Sequence, residues 1–310
     1  MFFEEITVGP WNVLTHRQPI MMSGDEVFAL KKILASWAMV FPKSGNLAER
    51  YFNVPSSLVR FDYVMHDGVP CIYEVEERPA GLGVTSSIHP TFAGDIRRLF
   101  KKKEEVLQRE IALYISPGRD GSSDDDVFSL KTGIPVVRGP VAASELQRNA
   151  WYVRSGRREE DVSQLFTEHS ISTLRHEGDK SYGLHLGLWK EIGGPGDLDF
   201  SLPFVVKPRA GSRFEGVLLY HPDKKMGQGF ATRTKVTDAV ASGDVHFIQA
   251  YQRGEEAPFL GSKYHLIRRA YFVYSHELRD YVSLGGLWMA TPTARVHGTS
   301  QAVSGVILPP

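Results

Sequence analysis

Apolar and polar residues alternate along two neighbouring segments of the chain, residues 58–65 and residues 71–76. Alternation with a period of two predicts β-strands, because successive side chains of a strand point to opposite faces of the sheet. The dipeptide Asp67-Gly68 lies between the two segments and is typical of a tight turn between antiparallel strands. The pattern therefore predicts a β-hairpin.

The charged residues of this hairpin share one face only for one choice of loop length. They are Arg60, Asp62, Glu74 and Glu76. A three-residue loop, 67–69, would place Asp62 opposite Glu74, and the same register would place Arg60 opposite Glu76. A two-residue loop would put the acids on opposite faces, since a shift of one residue reverses every side chain of a strand. We expect the three-residue loop, because it gathers all the charges on one side and leaves the other side apolar. The second-strand residues on that apolar side would be Cys71, Tyr73 and Val75.

Three carboxylates on one face repel each other unless a cation lies among them. Carboxylate oxygens with few imidazoles or thiols nearby favour Mg²⁺ over zinc, and Mg²⁺ in proteins usually holds the phosphates of a substrate. The alternative is a solvated sheet face on which Arg60 pairs with Glu76 across the strands. The residues of the hairpin alone leave both interpretations open.

The pattern elsewhere in the first half of the chain predicts a small α/β unit. Residues 24–37 have the spacing of an amphipathic helix. Residues 90–110 are also predicted to be helical, and we interpret the charged run 101–105 as a solvated helix face. Residues 111–116 and 134–139 are apolar runs typical of buried strands of a parallel sheet, with a helix between them. The acidic triplet 124–126 fits the N-terminus of that helix better than a metal site.

The second half of the chain is predicted to be rich in strands. Residues 144–190 read mainly as helices, and the Gly- and Pro-rich stretch 193–203 separates them from the strands that follow. Those strands are predicted at 204–208, 216–220, 246–251, 269–274 and 281–289. We therefore expect an α+β fold in a single unit, 1–310, with subdomains of roughly 1–110, 111–195 and 196–310. The acidic hairpin must face the last subdomain if the two share a ligand.

Composition excludes some classes of function. The chain has 310 residues, of which 42% are hydrophobic, and its 36 Lys and Arg balance its 36 Asp and Glu. Nucleic-acid binders usually carry a basic surplus, so we expect no nucleic-acid partner. The chain has no secretory signal pattern and no run of about 20 apolar residues, so we expect a cytoplasmic protein without a membrane partner. Cys71 is the single cysteine, which fits a reducing compartment.

Three short stretches in the second half could bind a nucleotide. Lys207 ends a predicted strand and is followed by a loop that contains glycine, an arrangement that can cover phosphates. Lys180 precedes an apolar helix and could be a second phosphate contact. The backbone around Gln249 and Tyr251 could bind adenine, with Glu255 or Glu256 reaching the ribose. A surface hairpin, a solvated lysine and an ordinary strand end are the respective alternatives.

The order of these motifs resembles that of the circularly permuted ATP-grasp enzymes. The order is R-x-D, then E-x-E with a following proline, then D-K, then V-V-K-P with a glycine loop, and then F-I-Q-x-Y. The likeness covers about residues 58–275, and it is greatest to the synthetase domain of glutathionylspermidine synthase. The matching residues are Arg60, Asp62, Glu74, Glu76, Pro79, Lys180, Lys207, Pro208, Gly211 and Gln249.

The resemblance implies a circularly permuted ATP-grasp fold with a small α/β subdomain. It also implies an ATP- and Mg²⁺-dependent ligase that joins a small-molecule acid to an amine through an acyl-phosphate, with amino-acid or peptide-like substrates. Asp62, Glu74 and Glu76 would hold Mg²⁺, and Arg60 would act in catalysis by steadying the transferred phosphate. Lys180 and Lys207 would bind the ATP phosphates, and Gln249 would lie beside adenine. With the matching glycine and the strand end described above, the candidate nucleotide-binding residues are Lys180, Lys207, Gly211, Gln249, Tyr251 and Glu256. A non-catalytic nucleotide- or peptide-binding relative and an ATP-grasp kinase are the alternatives.

The sequence departs from the family pattern at Glu76, and one family residue has several candidate counterparts. The family often has Asn where this chain has Glu76, so the metal site here would carry one more negative charge. The family's last phosphate contact is an arginine near the C-terminus, and three residues are candidates for it here. They are Arg268, Arg269 and Arg295.

Overall fold

The fold is organised around one large sheet, whose strands come from both ends of the chain. We describe it from a computed structural model that covers residues 3–9, 11–40, 58–76, 81–115, 123–139, 150–154, 173–174, 182–209, 216–224, 229–242, 244, 246–259, 262–275, 277–292 and 303–310. The strands of the large sheet are β1 (Phe3–Val8), β2 (Trp11–Met21), β3 (Leu58–His66), β4 (Val69–Glu76), β13 (Glu256–Phe259), β14 (Ser262–Ser275), β15 (Asp280–Thr291) and β16 (Val303–Leu308). They lie in the order β1-β2-β16-β15-β14-β3-β4, and β13 pairs with β14 beyond the end of β3. The sheet is mixed, because β16 and β2 are parallel while its other pairs are antiparallel.

Two smaller sheets flank the large one. The first is parallel and is formed by β5 (Ile111–Ile115), β6 (Val136–Arg138), β7 (Ala150–Arg154) and β8 (Thr173–Leu174). The second is antiparallel and is formed by β9 (Lys190–Ile192), β10 (Phe204–Pro208), β11 (Leu218–Tyr220) and β12 (His246–Ala250). We call this antiparallel sheet the small sheet. The helices are α1 (Gly24–Val40), α2 (Leu82–Ile88), α3 (Phe92–Leu107), α4 (Ser123–Thr132), α5 (Tyr182–His185) and α6 (Arg233–Ala241).

Apolar side chains cover both faces of the large sheet. On one face, Leu30 and Leu34 of α1 belong to a core with Phe61 and Phe272. On the other face, residues of α2, α3 and the parallel sheet form a second core with Leu58, Tyr271 and Val273, among others. Because adjacent residues of a strand face opposite ways, β3 and β14 contribute to both cores.

Most of the predicted elements are present. The helix predicted at 24–37 is observed at Gly24–Val40, and the strand predicted at 204–208 has those bounds. The parallel arrangement predicted for the strands near 111 and 134 is also observed. The prediction of mainly helical structure for 144–190 is wrong for residues 150–154, which form a strand. Their sequence, AWYVR, contains aromatic and β-branched residues, and they pair with β5 over their whole length.

The prediction that the charged run 101–105 forms a solvated helix face is wrong at one position. Lys103 is buried with 1% of its surface exposed, while Lys101 and Lys102 on the same helix are exposed. Burial lowers the pKa of Lys103 to about 7, because desolvation penalises the ammonium form. The helix therefore presents one lysine of the run to the protein interior.

The acidic triplet lies in the first turn of α4, as predicted, and one member also caps another helix. The two carboxylate oxygens of Asp124 accept hydrogen bonds from the backbone N–H groups of Gly81 and Val84, at 2.9 and 3.0 Å. These N–H groups belong to the N-terminus of α2, so Asp124 ties α2 to α4. A side chain at Gly83 would collide with the Asp124 carbonyl oxygen, 2.1 Å from an ideal Cβ, so this contact requires glycine.

Within the described residues, no helix is long and apolar enough to cross a membrane.

Candidate functional site

The β3–β4 hairpin has the predicted pairing but not the predicted loop. Asp62 lies opposite Glu74, and Arg60 lies opposite Glu76. The turn has two residues, since His66 pairs with Val69. Asp67 and Gly68 both have positive φ, 50° and 78°, as a two-residue turn of type I′ requires. The prediction of a three-residue loop is therefore wrong.

A β-bulge at Tyr73 restores the pairing that the shorter turn would have broken. Asp62 pairs with Glu74 while the next residue, Tyr63, pairs with Ile72, so Tyr73 is an extra residue on β4. The bulge also changes which way β4 faces. Cys71 and Tyr73 pack near Val64, which shares the face of β3 that carries Asp62. The prediction that these two residues share a face with Val75 is therefore wrong.

Arg60 lies among the three carboxylates of the hairpin. Its Nε is 2.7 Å from Asp62 Oδ1, and its Nη2 is 3.0 Å from Glu76 Oε2 and 4.0 Å from Glu74 Oε2. Arg60 and Asp62 are buried, whereas the side chains of Glu74 and Glu76 keep 37% and 32% of their surface exposed. The cross-strand pair of Arg60 and Glu76 is therefore present, but on a partly buried face rather than a solvated one.

The carboxylates keep the Arg60 guanidinium charged. Burial alone would lower its pKa, but the negative charges of Asp62 and Glu76 together raise it well above the ordinary value. A second cation, Arg269 on the adjacent strand β14, approaches the same group, with its Nη2 3.2 Å from Asp62 Oδ2. Asp62 is thus held by two arginines, while Glu74 and Glu76 are more open to solvent.

Among the carboxylates around Arg60, the more exposed Glu74 and Glu76 are better placed to bind Mg²⁺ than the buried Asp62. In the described part of the chain, no three His, Cys, Asp or Glu side chains are grouped as they would be around a metal ion. Carboxylate oxygens are nevertheless the ligands that Mg²⁺ prefers, and it usually takes only one or two of them together with phosphates and water. Glu74 and Glu76 could supply these two, because both lie at the solvent-exposed edge of the Arg60 cluster.

The small sheet contacts the hairpin through Lys207 and Gln249, two of the six residues predicted to bind a nucleotide. The Lys207 ammonium donates to the Tyr73 carbonyl oxygen and, at 2.7 Å, to Gln249 Oε1. The Gln249 amide nitrogen donates to the Ile72 carbonyl oxygen. Lys207 is buried, and its ammonium also lies 4.2 Å from the centre of the Trp189 ring. These contacts hold the small sheet against the edge strand β4 of the hairpin.

The bulge explains why the contact falls at this point. An extra residue locally disrupts the ladder of hydrogen bonds between two strands. The carbonyl groups that receive Lys207 and Gln249 are those of Tyr73, the extra residue, and of Ile72, the residue before it. The same irregularity therefore sets the register of the carboxylates and docks the small sheet.

The remaining predicted nucleotide residues are placed as follows. Tyr251 follows β12, where its N–H donates to the Pro203 carbonyl oxygen at 3.1 Å and its ring packs edge-on against Phe230. Glu256 begins β13 and is paired with Arg253, whose hydrogen bond lowers the pKa of the carboxyl group. Lys180 and Gly211 lie outside the described residues.

A charged network on the opposite face of β14 was not predicted from the sequence. Arg268 bonds both carboxylate oxygens of Glu26 at 3.0 Å, and its other amino group reaches Glu255 at 2.9 Å. Tyr63 donates to Glu26 from the adjacent strand at 2.5 Å. One sequence feature pointed to part of it. Ser23 and Glu26 have the spacing of a capping box, and the Glu26 N–H donates to Ser23 Oγ at 3.0 Å.

Comparison with known proteins gives distant structural similarity only. No protein-family model matches the chain, and no curated protein matches it. A provisionally assigned γ-glutamylcysteine synthetase from Methylobacillus flagellatus is 12% identical over 92% of this chain and 87% of its own, with a TM-score of 0.49. The D-cycloserine synthetase DcsG is 15% identical over 56% of this chain and 90% of its own, with a TM-score of 0.32. At these values the chain is assigned to no family, and the case for its function depends on the geometry of the site.

Proposed function

We propose that this protein is an ATP- and Mg²⁺-dependent ligase that joins a small-molecule carboxylic acid to an amine through an acyl-phosphate. One observation carries the proposal. Lys207, predicted to bind phosphate, donates to the carbonyl oxygen of Tyr73, which is 134 positions away in the chain and directly precedes Glu74. This contact brings a residue of the proposed nucleotide motif against the backbone beside one of the proposed metal ligands.

The acidic residues of the hairpin divide between two roles in this proposal. Glu74 and Glu76 would hold Mg²⁺, which neutralises phosphate charge when bound. Asp62, the third predicted ligand, would instead orient Arg60 and Arg269 from the buried side. Its two short contacts to these guanidinium groups support the orienting role.

The small sheet would supply the nucleotide side of the site. Lys207 would exchange its bond with the Tyr73 carbonyl oxygen for phosphate oxygens, which are stronger acceptors because they are charged. Lys180 and the loop glycine Gly211 would add phosphate contacts. Gln249 would lie beside adenine, as the resemblance implies, and Tyr251 and Glu256 would bind the nucleoside from the end of the same strand.

The arginines would stabilise the transferred phosphoryl group. Arg60 keeps the role implied by the resemblance. Of the three candidates for a second arginine, we propose Arg269, because it reaches Asp62 while Arg268 faces Glu26 and Glu255 on the other side of β14. Arg295 lies outside the described residues. Phosphoryl transfer depends mainly on positioning and charge neutralisation, so two arginines and a lysine suffice without a strong protein base.

The proposed reaction has two steps. A carboxylate oxygen of the acid attacks the γ-phosphorus of ATP, which forms the acyl-phosphate and releases ADP. The amine nitrogen then attacks the acyl carbon, which forms the amide, releases inorganic phosphate and gives up a proton to solvent.

A second candidate function is nucleotide binding without turnover. The position of Arg60 favours it, since the guanidinium already compensates part of the negative charge that we assign to the cation. A kinase that phosphorylates a hydroxyl group is the third possibility left open by the motifs.

The products distinguish these functions. The protein would be incubated with Mg²⁺ and ATP and with pairwise mixtures of the standard amino acids, and ADP, free phosphate and amide would be quantified. For a ligase we expect equal amounts of all three. ADP without free phosphate would identify a kinase, and ATP binding without any product in a wide screen of acids and amines would favour the non-catalytic function.

A further inference from the structure

A buried ion pair tethers helix α1 to strand β14. Glu26 and Arg268 have 2% and 9% of their side-chain surface exposed, and the guanidinium bonds both oxygens of the carboxylate. The Tyr63 hydroxyl donates to the same carboxylate. Burial and the Glu26 charge raise the pKa of Tyr63, so the hydroxyl remains a donor. The orientation of Arg268 is therefore set by rigid neighbours on two elements.

The second amino group of Arg268, which does not contact Glu26, binds the segment that joins the small sheet to the large one. We call residues 251–255, between β12 and β13, the connection. Arg268 Nη2 bonds both carboxylate oxygens of Glu255, at 3.2 and 2.9 Å, and the Glu255 carbonyl oxygen accepts from the Leu266 N–H at 3.0 Å. Glu255 thus ends the connection with one side-chain anchor and one backbone anchor.

Two further contacts hold the connection closer to the site. The Tyr73 hydroxyl, on the bulge of β4, donates to the carbonyl oxygen of Gln252. Gly254 lies against Val64, and an ideal Cβ at Gly254 would be 2.7 Å from the Val64 side chain. The connection therefore crosses the hairpin in close contact, and it begins at Tyr251, one of the proposed nucleotide residues.

An exposed ion pair contributes little when both side chains must first be ordered. Here only Glu255, about half exposed, loses freedom, because Arg268 is already held by Glu26. Burial alone would lower the pKa of Arg268, but the hydrogen bond to Glu255 and the charges of Glu26 and Glu255 raise it, so the cation is always present. A preorganised guanidinium fork is a good anchor for a second carboxylate.

We propose that Arg268 and Glu255 are positioning residues for the nucleotide. By fixing the end of the connection, they hold Gln249 and Tyr251 at the distance from the hairpin that the nucleotide requires. This inference rests on the proposed function, because it assumes that these two residues contact ATP. Glu255 then has a role other than the ribose contact considered for it from the sequence.

The test compares nucleotide affinity with stability in the variant Glu255→Gln. This change removes the charge of the anchor and keeps its shape, while the buried pair of Glu26 and Arg268 stays intact. We expect the dissociation constant of Mg²⁺-ATP to rise about tenfold, within the range of coupling between contacting residues. The melting temperature without ligand should change by less than about 2 °C, since one half-exposed pair is lost.

A second variant tests whether Arg268 acts through Glu255. Arg268→Lys can pair with Glu26 but lacks the fork that serves both carboxylates at once. We expect a similar loss of ATP affinity, and we expect the double variant to bind no more weakly than the weaker single variant. Full additivity of the two effects would show that the residues act separately and would overturn the proposal.

Asp280→Asn is the matched control. Asp280 is also about half exposed and pairs with Lys31 of α1, but it lies at the start of β15, away from the connection. Its loss should leave ATP affinity unchanged. Amide exchange of 251–255 should be faster in Glu255→Gln than in the control.

The outcomes separate the two proposals. If the wild type binds Mg²⁺-ATP and Glu255→Gln binds it equally well, the positioning role is refuted and the proposed function stands. If the wild type does not bind Mg²⁺-ATP, the proposed function fails and the positioning role fails with it.

Discussion

Lys207→Ala is expected to lower ATP turnover at least about 100-fold, because it removes a fixed positive charge from the proposed phosphate site. The rate of phosphate release at saturating Mg²⁺ and ATP measures this. The fold should survive, since Gln249 and the core of the small sheet remain in place. Stability should fall by about 1–3 kcal/mol, because the Tyr73 carbonyl oxygen loses a donor.

A second lysine of the same sheet provides the control for Lys207. Lys190 lies on β9, is exposed, and belongs to a strand that pairs with β12. Lys190→Ala should turn over ATP at the wild-type rate. Full activity of Lys207→Ala, or equal losses in the two variants, would contradict the assignment of Lys207 to the phosphates.

Glu74→Ala is expected to abolish ATP turnover with little effect on stability. The side chain is more than one third exposed and lies 4.0 Å from Arg60, so its removal should cost less than about 1 kcal/mol of folding free energy. The proposed metal site, in contrast, would lose one of its two open carboxylates. Turnover measured over a range of Mg²⁺ concentrations should stay at background throughout.

Glu76→Asn tests whether a neutral oxygen donor can replace the carboxylate. Asparagine keeps one oxygen donor and is the residue that the permuted ATP-grasp family often has at this position. We expect turnover to be retained at high Mg²⁺, with more Mg²⁺ needed to reach it. An active Glu74→Ala variant would refute the metal assignment. An inactive Glu76→Asn variant would show that the shorter, neutral amide does not replace the carboxylate at this position.

The hairpin shows what alternation can and cannot predict. Placing all the charges on one face of the hairpin predicted the correct partners, Asp62 with Glu74 and Arg60 with Glu76. The reason is that a shift of one residue would move the apolar side chains of a strand to the charged face. The same requirement predicted a three-residue loop, whereas the turn has two residues. A three-residue loop and a two-residue turn followed by one bulged residue produce the same pairing, and periodicity does not distinguish them. For that reason the predicted sheet face of Cys71 and Tyr73 was wrong.

The contacts between distant segments were harder to predict than the elements. The sequence required the hairpin to face the last subdomain only if the two share a ligand, and in the structure Lys207 contacts the hairpin backbone at Tyr73. Nothing in the local pattern predicted that Glu26 would meet Arg268, which are 242 positions apart. A buried arginine in an apolar strand requires a carboxylate partner, but the sequence alone does not name it. The burial of Lys103 was missed in the same way, since a run of charges near a helix end usually faces water.

The most direct test of a Mg²⁺-ATP site between the small sheet and the hairpin is thermal unfolding of the wild type. The melting temperature would be measured with Mg²⁺ alone, with ATP and EDTA, and with Mg²⁺ and ATP together. A ligand present at about 100 times its dissociation constant adds about 2.7 kcal/mol, worth roughly 5 °C for a chain of this size. We predict such a shift only when Mg²⁺ and ATP are both present, and its loss in Lys207→Ala. An unchanged melting temperature at millimolar Mg²⁺-ATP would contradict the account.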